Sequence, residues 1–302
     1  MDRRDFLKAS VAVAGLAAAG PAAARAEEAD QPKQGAVLKL CSREGQIPGK
    51  SLEEKLENLK KYGGVGMEFG GMDLNRAKDI KKKCADAGVG VAALCWGTFL
   101  LIAPEEATRK KAVDNLKNAL EVAAEAGSTG VICVPAFNGD PQLEFYEAKK
   151  TLLGLLPEIG EHAVKVGSRV LFEPLNRGEA RFFNQLALAA QVCRDSKSEG
   201  ICMMGDFYHM CIEETSDQGA FLSAGKYLHH VHLASRIRNL PGQDRLKEPD
   251  KPERSFVDGF RGLKRIGYQD YCSLECGCQG DPTVEIPKSF AFLKQQWEEA
   301  TV

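Results

Sequence analysis

Four apolar runs in the second half of the chain each close on an acidic or imidazole side chain: Glu173 in SRVLFEPLN, Asp206 in ICMMGDF, His232 in LHHVHLAS and Glu275 in YCSLECG. Burying an unpaired carboxylate costs several kcal/mol, so a strand that ends on one needs a neutralising partner. A single such residue reads as a strand end paired with a nearby Arg or Lys. Four in phase on consecutive strands converge, and the three carboxylates among them repel unless a cation holds them. Oxygen-rich ligation with one imidazole suits one divalent ion, Mn2+ first and Mg2+, Co2+ or Zn2+ as alternatives.

The elements that must position these groups follow from periodicity. From residue 37 onward, short β-branched or apolar runs alternate with longer helical patterns about every 30 residues, the βαβα signature of a parallel sheet. Besides the four runs above, strands are predicted at VLKLC from Val37, VGMEFGG from Val65, VGVAALCWG from Val89 and TGVICVPAF from Thr129, which makes eight. Ser51 with Glu54 forms a capping box, and Gly63 closes that helix. Asp73 opens the next helix and Gly88 ends it; Pro104 opens the third and Gly127 stops it. A glycine between helix and strand recurs at Gly167, Gly200 and Gly267.

Eight strands each followed by a helix predict a (β/α)8 TIM barrel, whose chemistry sits at the C-terminal ends of the strands. A doubly wound open sheet would carry a glycine-rich turn after the first strand, and SREGQIPGKS has no G-x-G-x-x-G.

The first residues read differently. MDRRDFLKAS pairs Arg3 with Arg4 ahead of Phe6 and Leu7, an alanine-rich run follows to Ala24, and Ala24–Arg25–Ala26 has the small-x-small form of a cleavage site. The pattern predicts a twin-arginine signal over residues 1–26, cleavage after Ala26, passage through the twin-arginine export machinery and a periplasmic or exported protein. A linker over 27–36 and a single catalytic domain over 37–302 complete the chain. The run is too short, and too broken by Gly and Pro, for a membrane span. The net charge of −2 becomes about −4 without the leader, which excludes a basic nucleic-acid surface. Most of the ten cysteines, such as Cys95, Cys133 and Cys202, lie in apolar runs and read as free buried thiols; the pair Cys276 and Cys278 is the candidate exception.

FEPLNRGE, GDFYHM, HVHLAS followed by Arg238, and LECG together resemble the xylose isomerase-like TIM barrels, in particular sugar epimerases and hydroxypyruvate isomerases. The resemblance implies that Glu173, Asp206, His232 and Glu275 bind the metal, with Glu173 and Glu275 also acting as the acid/base pair. It further implies that His209 and Arg238 contact substrate oxygens and that Glu179 supports the site. Trp96, ending the third predicted strand, is a candidate hydrophobic wall for a sugar face, or core packing. Phe207 and Tyr208 are open to the same two readings, Glu68 to a mouth position or an internal salt bridge, and His162 reads as structural. His230 lies on the same strand face as His232, which is preferred because it is nearer the C-terminal end.

The implied chemistry is proton transfer on a sugar or keto-acid. A metal chelating a carbonyl and its neighbouring hydroxyl acidifies the proton between them, and two facing carboxylates remove and return it through an enediolate. Return to the opposite face epimerises; return to the neighbouring carbon isomerises. A metal-dependent lyase or dehydratase on a keto-sugar or cyclitol would use the same ligands, and a catalytically silent periplasmic sugar-binding protein is the non-enzymatic alternative. The three-zinc endonucleases of this fold need more histidines than the five present. Gly178, ahead of Glu179, departs from the epimerase pattern, and resemblance alone suggests a homodimer or homotetramer.

Overall fold

The computed structural model describes residues 35–302. The predicted signal over 1–26, its predicted cleavage point and the predicted linker up to residue 34 lie outside the described residues. Eight parallel strands close on themselves in chain order: β1 (Lys39–Arg43), β2 (Gly66–Gly70), β3 (Gly90–Thr98), β4 (Val131–Val134), β5 (Val170–Phe172), β6 (Ile201–Asp206), β7 (Leu228–Leu233) and β8 (Tyr271–Leu274), which pairs back onto β1. The helices are α1 (Leu52–Tyr62), α2 (Leu74–Ala87), α3 (Glu106–Ala126), α4 (Phe145–Val166), α5 (Leu186–Ser196), α6 (Phe207–Glu213), α7 (Asp217–Ala224), α8 (Val257–Ile266) and α9 (Pro282–Glu299). This is the (β/α)8 barrel that the alternation predicts. Among the described residues no helix is long and apolar enough to cross a membrane.

Local chemistry sets the boundaries. Ser51 Oγ accepts the Glu54 N–H and Asp73 Oδ1 that of Arg76, so both predicted N-caps form. Gly63, Gly88, Gly127, Gly167 and Gly267 end their helices in the left-handed region. One expectation is corrected. Pro104 does not open α3: Arg109 donates to the carbonyls of Ala103 and Pro104, holding both outside the helix, which starts at Glu106. Gly200 stands between α5 and β6 as expected, although the helix itself is capped by Lys197 at φ 56°. Glycine is needed at 200 for close packing, since a Cβ there would lie 2.6 Å from the Gly160 carbonyl oxygen. The fourth and fifth strands are shorter than their apolar runs because Pro135 and Pro174 carry no N–H for the ladder.

Side chains alternate across each strand, so one set fills the barrel and the other meets the helices. Ala93, Ile132, Leu171, Cys202 and Met204 form an apolar plug inside. Outward residues join the larger core beneath the helices, where Phe207 is fully buried with ring centroids 4.9 Å from Phe256, 5.4 Å from Phe221 and 5.8 Å from Phe260. Phe207 is therefore core rather than a sugar wall. Phe207→Ala is expected to cost about 3–5 kcal/mol, measured by denaturant unfolding. All ten cysteines are free thiols, Cys276 and Cys278 included.

Candidate active site

The strand register brings the four strand-end groups together. Asp206 is the last residue of β6 and is paired with His232 on β7. Glu173 and Glu275 each lie one residue past a strand, and their N–H groups still donate to Cys133 and Leu233 carbonyls of the neighbouring strands at 3.1 and 3.3 Å. Both are thus held on the barrel rim despite Pro174. His232 Nδ1 stands 3.0 Å from Glu275 Oε2, 3.5 Å from Glu173 Oε1 and 3.7 Å from Asp206 Oδ2. One ligand atom from each of the four residues lies within 4.8 Å of the others.

These residues fit a divalent ion on two counts. Glu173 Oε1 and His232 Nδ1 are buried, face the same point and have no hydrogen-bond partner, which is costly for polar atoms without a further ligand. The charge count agrees: Glu68, Glu173, Asp206 and Glu275 are partly offset by the guanidiniums of Arg43 and Arg238, which leaves two negative charges when the imidazoles are neutral. His230 is not part of this cluster; it lies deeper, against Glu68.

Electrostatics separates the two acid/base candidates. Burial pushes the Glu173 carboxyl above its ordinary range, and the Glu275 and Asp206 charges add to this against the opposing His232. Glu275 is also opposed by burial, but His232 and Arg238 hold it below its ordinary range. Opposed shifts of this kind would suit a proton donor and a proton acceptor. Asp206 is held far down by Arg238 in spite of its burial.

Both glutamates line a cavity of about 120 Å³ together with His209, Arg238, Glu179 and Phe137. His209 Nδ1 accepts the Asn176 backbone N–H at 3.2 Å and lies 2.9 Å from Asn176 Nδ2, so the ring proton sits on Nε2. Asn176 Nδ2 also donates to Glu179 Oε1 at 2.8 Å, and Asn176 Oδ1 accepts from Gly178 N–H. A Cβ at 178 would fall 2.9 Å from that oxygen, which accounts for the glycine ahead of Glu179. Arg238 Nη1 donates to Asp206 Oδ2 at 2.5 Å and Nη2 to Glu275 Oε2, with the guanidinium 4.7 Å above the Tyr208 ring. Tyr208 thus serves the site through Arg238.

Trp96 is not brought to this cavity. Its neighbours Cys95 and Gly97 line it, at an irregularity in the β3–β4 register, while the indole packs over Gly71. Arg43 is a site residue that the sequence reading missed. It ends β1, paired in register with Glu68, and donates to Glu275 Oε1 at 2.8 Å. The predicted first strand stops at Cys41, two residues short of it. A second cavity of about 260 Å³ opens beyond Glu275, lined by Arg43, Gln46 and Cys276. A larger one of about 450 Å³ lies elsewhere, lined by Arg169 and Tyr227 near strand starts, and contains none of the cluster.

A closed barrel that gathers three carboxylates and an imidazole at the C-terminal mouth is a TIM barrel with a cluster that could hold a divalent ion. The chain belongs to the xylose isomerase-like TIM barrel family, whose model matches residues 56–296. It is 29% identical over 258 residues to the 3-dehydro-D-guloside 4-epimerase of Escherichia coli K12, spanning 80% of this chain and 93% of the relative. It is 24% identical to the L-ribulose 3-epimerase of Mesorhizobium japonicum over 82% of both chains. Among solved structures, the apo 3-keto-D-glucoside 4-epimerase of E. coli superposes with a TM-score of 0.74 at 24% identity, covering 86% of this chain and all of that one.

Proposed function

We propose that this protein is a divalent-metal-dependent epimerase that inverts a hydroxyl-bearing carbon next to the carbonyl of a keto-sugar. The observation that carries this reading is the pair Glu173 and Glu275: a buried and a half-buried carboxyl of opposed proton affinity on one cavity, beside a cluster with unpartnered ligand atoms. The names of the relatives support it. A 4-epimerase of a 3-keto sugar and a 3-epimerase of a 2-ketose both act on a carbon adjacent to the carbonyl, so one chemistry serves both. The relative with the greater identity of the two acts on a 3-dehydro-guloside and is matched over nearly its full length, which favours a 3-keto-glycoside as substrate.

Glu173, Asp206, His232 and Glu275 would hold the ion, which supplies Lewis-acid polarisation of the carbonyl when bound. The Glu275 carboxylate takes the proton from the adjacent carbon, and the C–H electrons pass into a carbon–carbon double bond as the carbonyl becomes an enediolate. Glu173, in its acid form, returns a proton to the opposite face, and the enediolate electrons collapse back to the carbonyl. The reverse direction exchanges the two roles. His209 Nε2–H and the Arg238 guanidinium donate to sugar oxygens and fix the ring, while burial keeps both carboxyls reactive. The Arg3–Arg4 leader supports an exported enzyme working on unphosphorylated sugars.

The test is direct. The purified chain, stripped with EDTA and titrated with Mn2+, is expected to bind one ion and to convert a 3-keto-glucoside into its 4-epimer, identified by NMR of the product. Chelation should remove the activity and Mn2+ restore it. Formation of an unsaturated product would favour a lyase, and stoichiometric metal with no conversion of any keto-sugar would favour a binding protein.

A further inference from the structure

Glu68 belongs to no ligand set described above, yet it is fully buried in the barrel and its surroundings are unusual. A single oxygen, Oε2, lies 2.9 Å from His232 Nε2 and 2.9 Å from His230 Nε2. Oε1 has no hydrogen bond, although Arg43 Nε stands 3.6 Å away. A carboxylate can only accept, so both imidazoles present N–H to it. For His232 this fixes more than orientation. With Nε2 turned to Glu68, Nδ1 is the nitrogen that faces Glu173, Asp206 and Glu275, and its proton is the one an incoming ion displaces. A proton retained on Nδ1 would block that nitrogen as a ligand.

We infer that Glu68 is a positioning residue for the metal centre: it selects the His232 tautomer that leaves Nδ1 free to bind the ion, and His230 anchors Glu68 by occupying the same oxygen. The inference rests on the metal-dependent reading above. The register explains why Glu68 can do this. Arg43 and Glu68 are partners across β1 and β2, and Arg43 also reaches Glu275, so the acceptor is tied to the rim on one side and to His230 on the other. His230 and His232 occupy alternate positions of β7 and project to the same interior, their rings 5.1 Å apart and nearly perpendicular. Metal-ligating histidines commonly donate their other N–H to a carboxylate, and loss of that partner typically lowers metal affinity 10–100-fold.

The experiment is titration of Zn2+ and Mn2+ into apo protein by calorimetry, for wild type, Glu68→Gln, Glu68→Leu and His230→Leu, with 15N NMR of the histidine side chains in the zinc-loaded form. Wild type should bind one ion, with His232 protonated at Nε2. Glu68→Gln keeps the shape and one acceptor but loses the charge, and is expected to bind roughly 10-fold more weakly. Glu68→Leu removes the acceptor; it should lose about 100-fold, and its apo His232 should show a mixture of tautomers. His230→Leu should fall between wild type and Glu68→Leu. If Glu68→Leu does not fold, shown by circular dichroism, the Gln and His230 variants still decide the question. Unchanged affinity and tautomer in Glu68→Gln and His230→Leu would overturn the inference. So would a second ion in wild type that disappears with Glu68, because the glutamate would then be a ligand. Failure of wild type to bind any ion would instead refute the metal-dependent reading.

Discussion

Glu275→Gln is expected to lower turnover by about 10²–10⁴-fold, the usual contribution of a positioned acid or base. The amide cannot take a proton from carbon, and it also withdraws a negative charge that faces Arg43, Arg238 and His232. Loss of a proton acceptor acts on kcat more than on KM, so the effect should appear mainly in kcat. The two epimers should respond differently. Solvent exchange from the epimer whose reacting proton faces Glu275 should vanish, while exchange from the other, whose proton faces Glu173, should persist at a reduced rate. Steady-state kinetics with NMR of each epimer separately checks both points. Equal loss for the two epimers would mean that Glu275 acts chiefly by holding the ion.

Asp206→Asn is expected to have an effect of similar size by a different route. Asp206 is fully buried; Oδ1 accepts the Tyr208 N–H at 2.7 Å, and Oδ2 meets Arg238, with His209 and His232 both at 3.7 Å. Neutralising it takes an anion from the ligand set and a partner from a mostly buried guanidinium. Metal affinity should fall by more than the ~100-fold seen on losing an outer partner. Removing one member of a buried ion pair should cost about 3–5 kcal/mol of stability. Calorimetric metal titration and urea unfolding measure the two losses. The pH dependence has a definite sign. Because the folded carboxyl lies below its unfolded value, its stabilisation is complete above about pH 4 and is lost as acid protonates it. The metal-free wild type should therefore lose stability more steeply than Asp206→Asn below that pH.

Much of this site was legible because strand-end position and residue type coincide. Asp206 ends β6 and His232 is the last inward residue of β7, and Glu173 and Glu275 stay on the rim through one further ladder bond each. The choice of His232 over His230 follows from the same rule, since two residues along a strand is one step deeper into the barrel. Where the rule failed, tertiary geometry intervened. Trp96 has the composition of a sugar wall, but the irregularity at Cys95–Gly97 turns its neighbours toward the cavity instead. Arg43 was missed because KLCSR offers no local sign that its last residue meets Glu275, 232 positions away. Asn176 was missed for a similar reason: its role depends on a turn that lets one side chain serve His209, Glu179 and Gly178 together. Glu68 was readable as an internal acid, but its two imidazole partners come from a strand 162 and 164 residues further on.

The proposed reaction has Glu173 and Glu275 exchange a proton at the carbon beside a carbonyl. The most direct measurement follows a 3-keto-glucoside by NMR in D2O with the Mn2+-loaded protein. One deuterium is expected to enter at the carbon next to the carbonyl as the epimer forms, and both processes should stop on chelation. Epimer formation with the original hydrogen retained would contradict that reaction, as would a fully loaded protein that exchanges no proton of any keto-sugar.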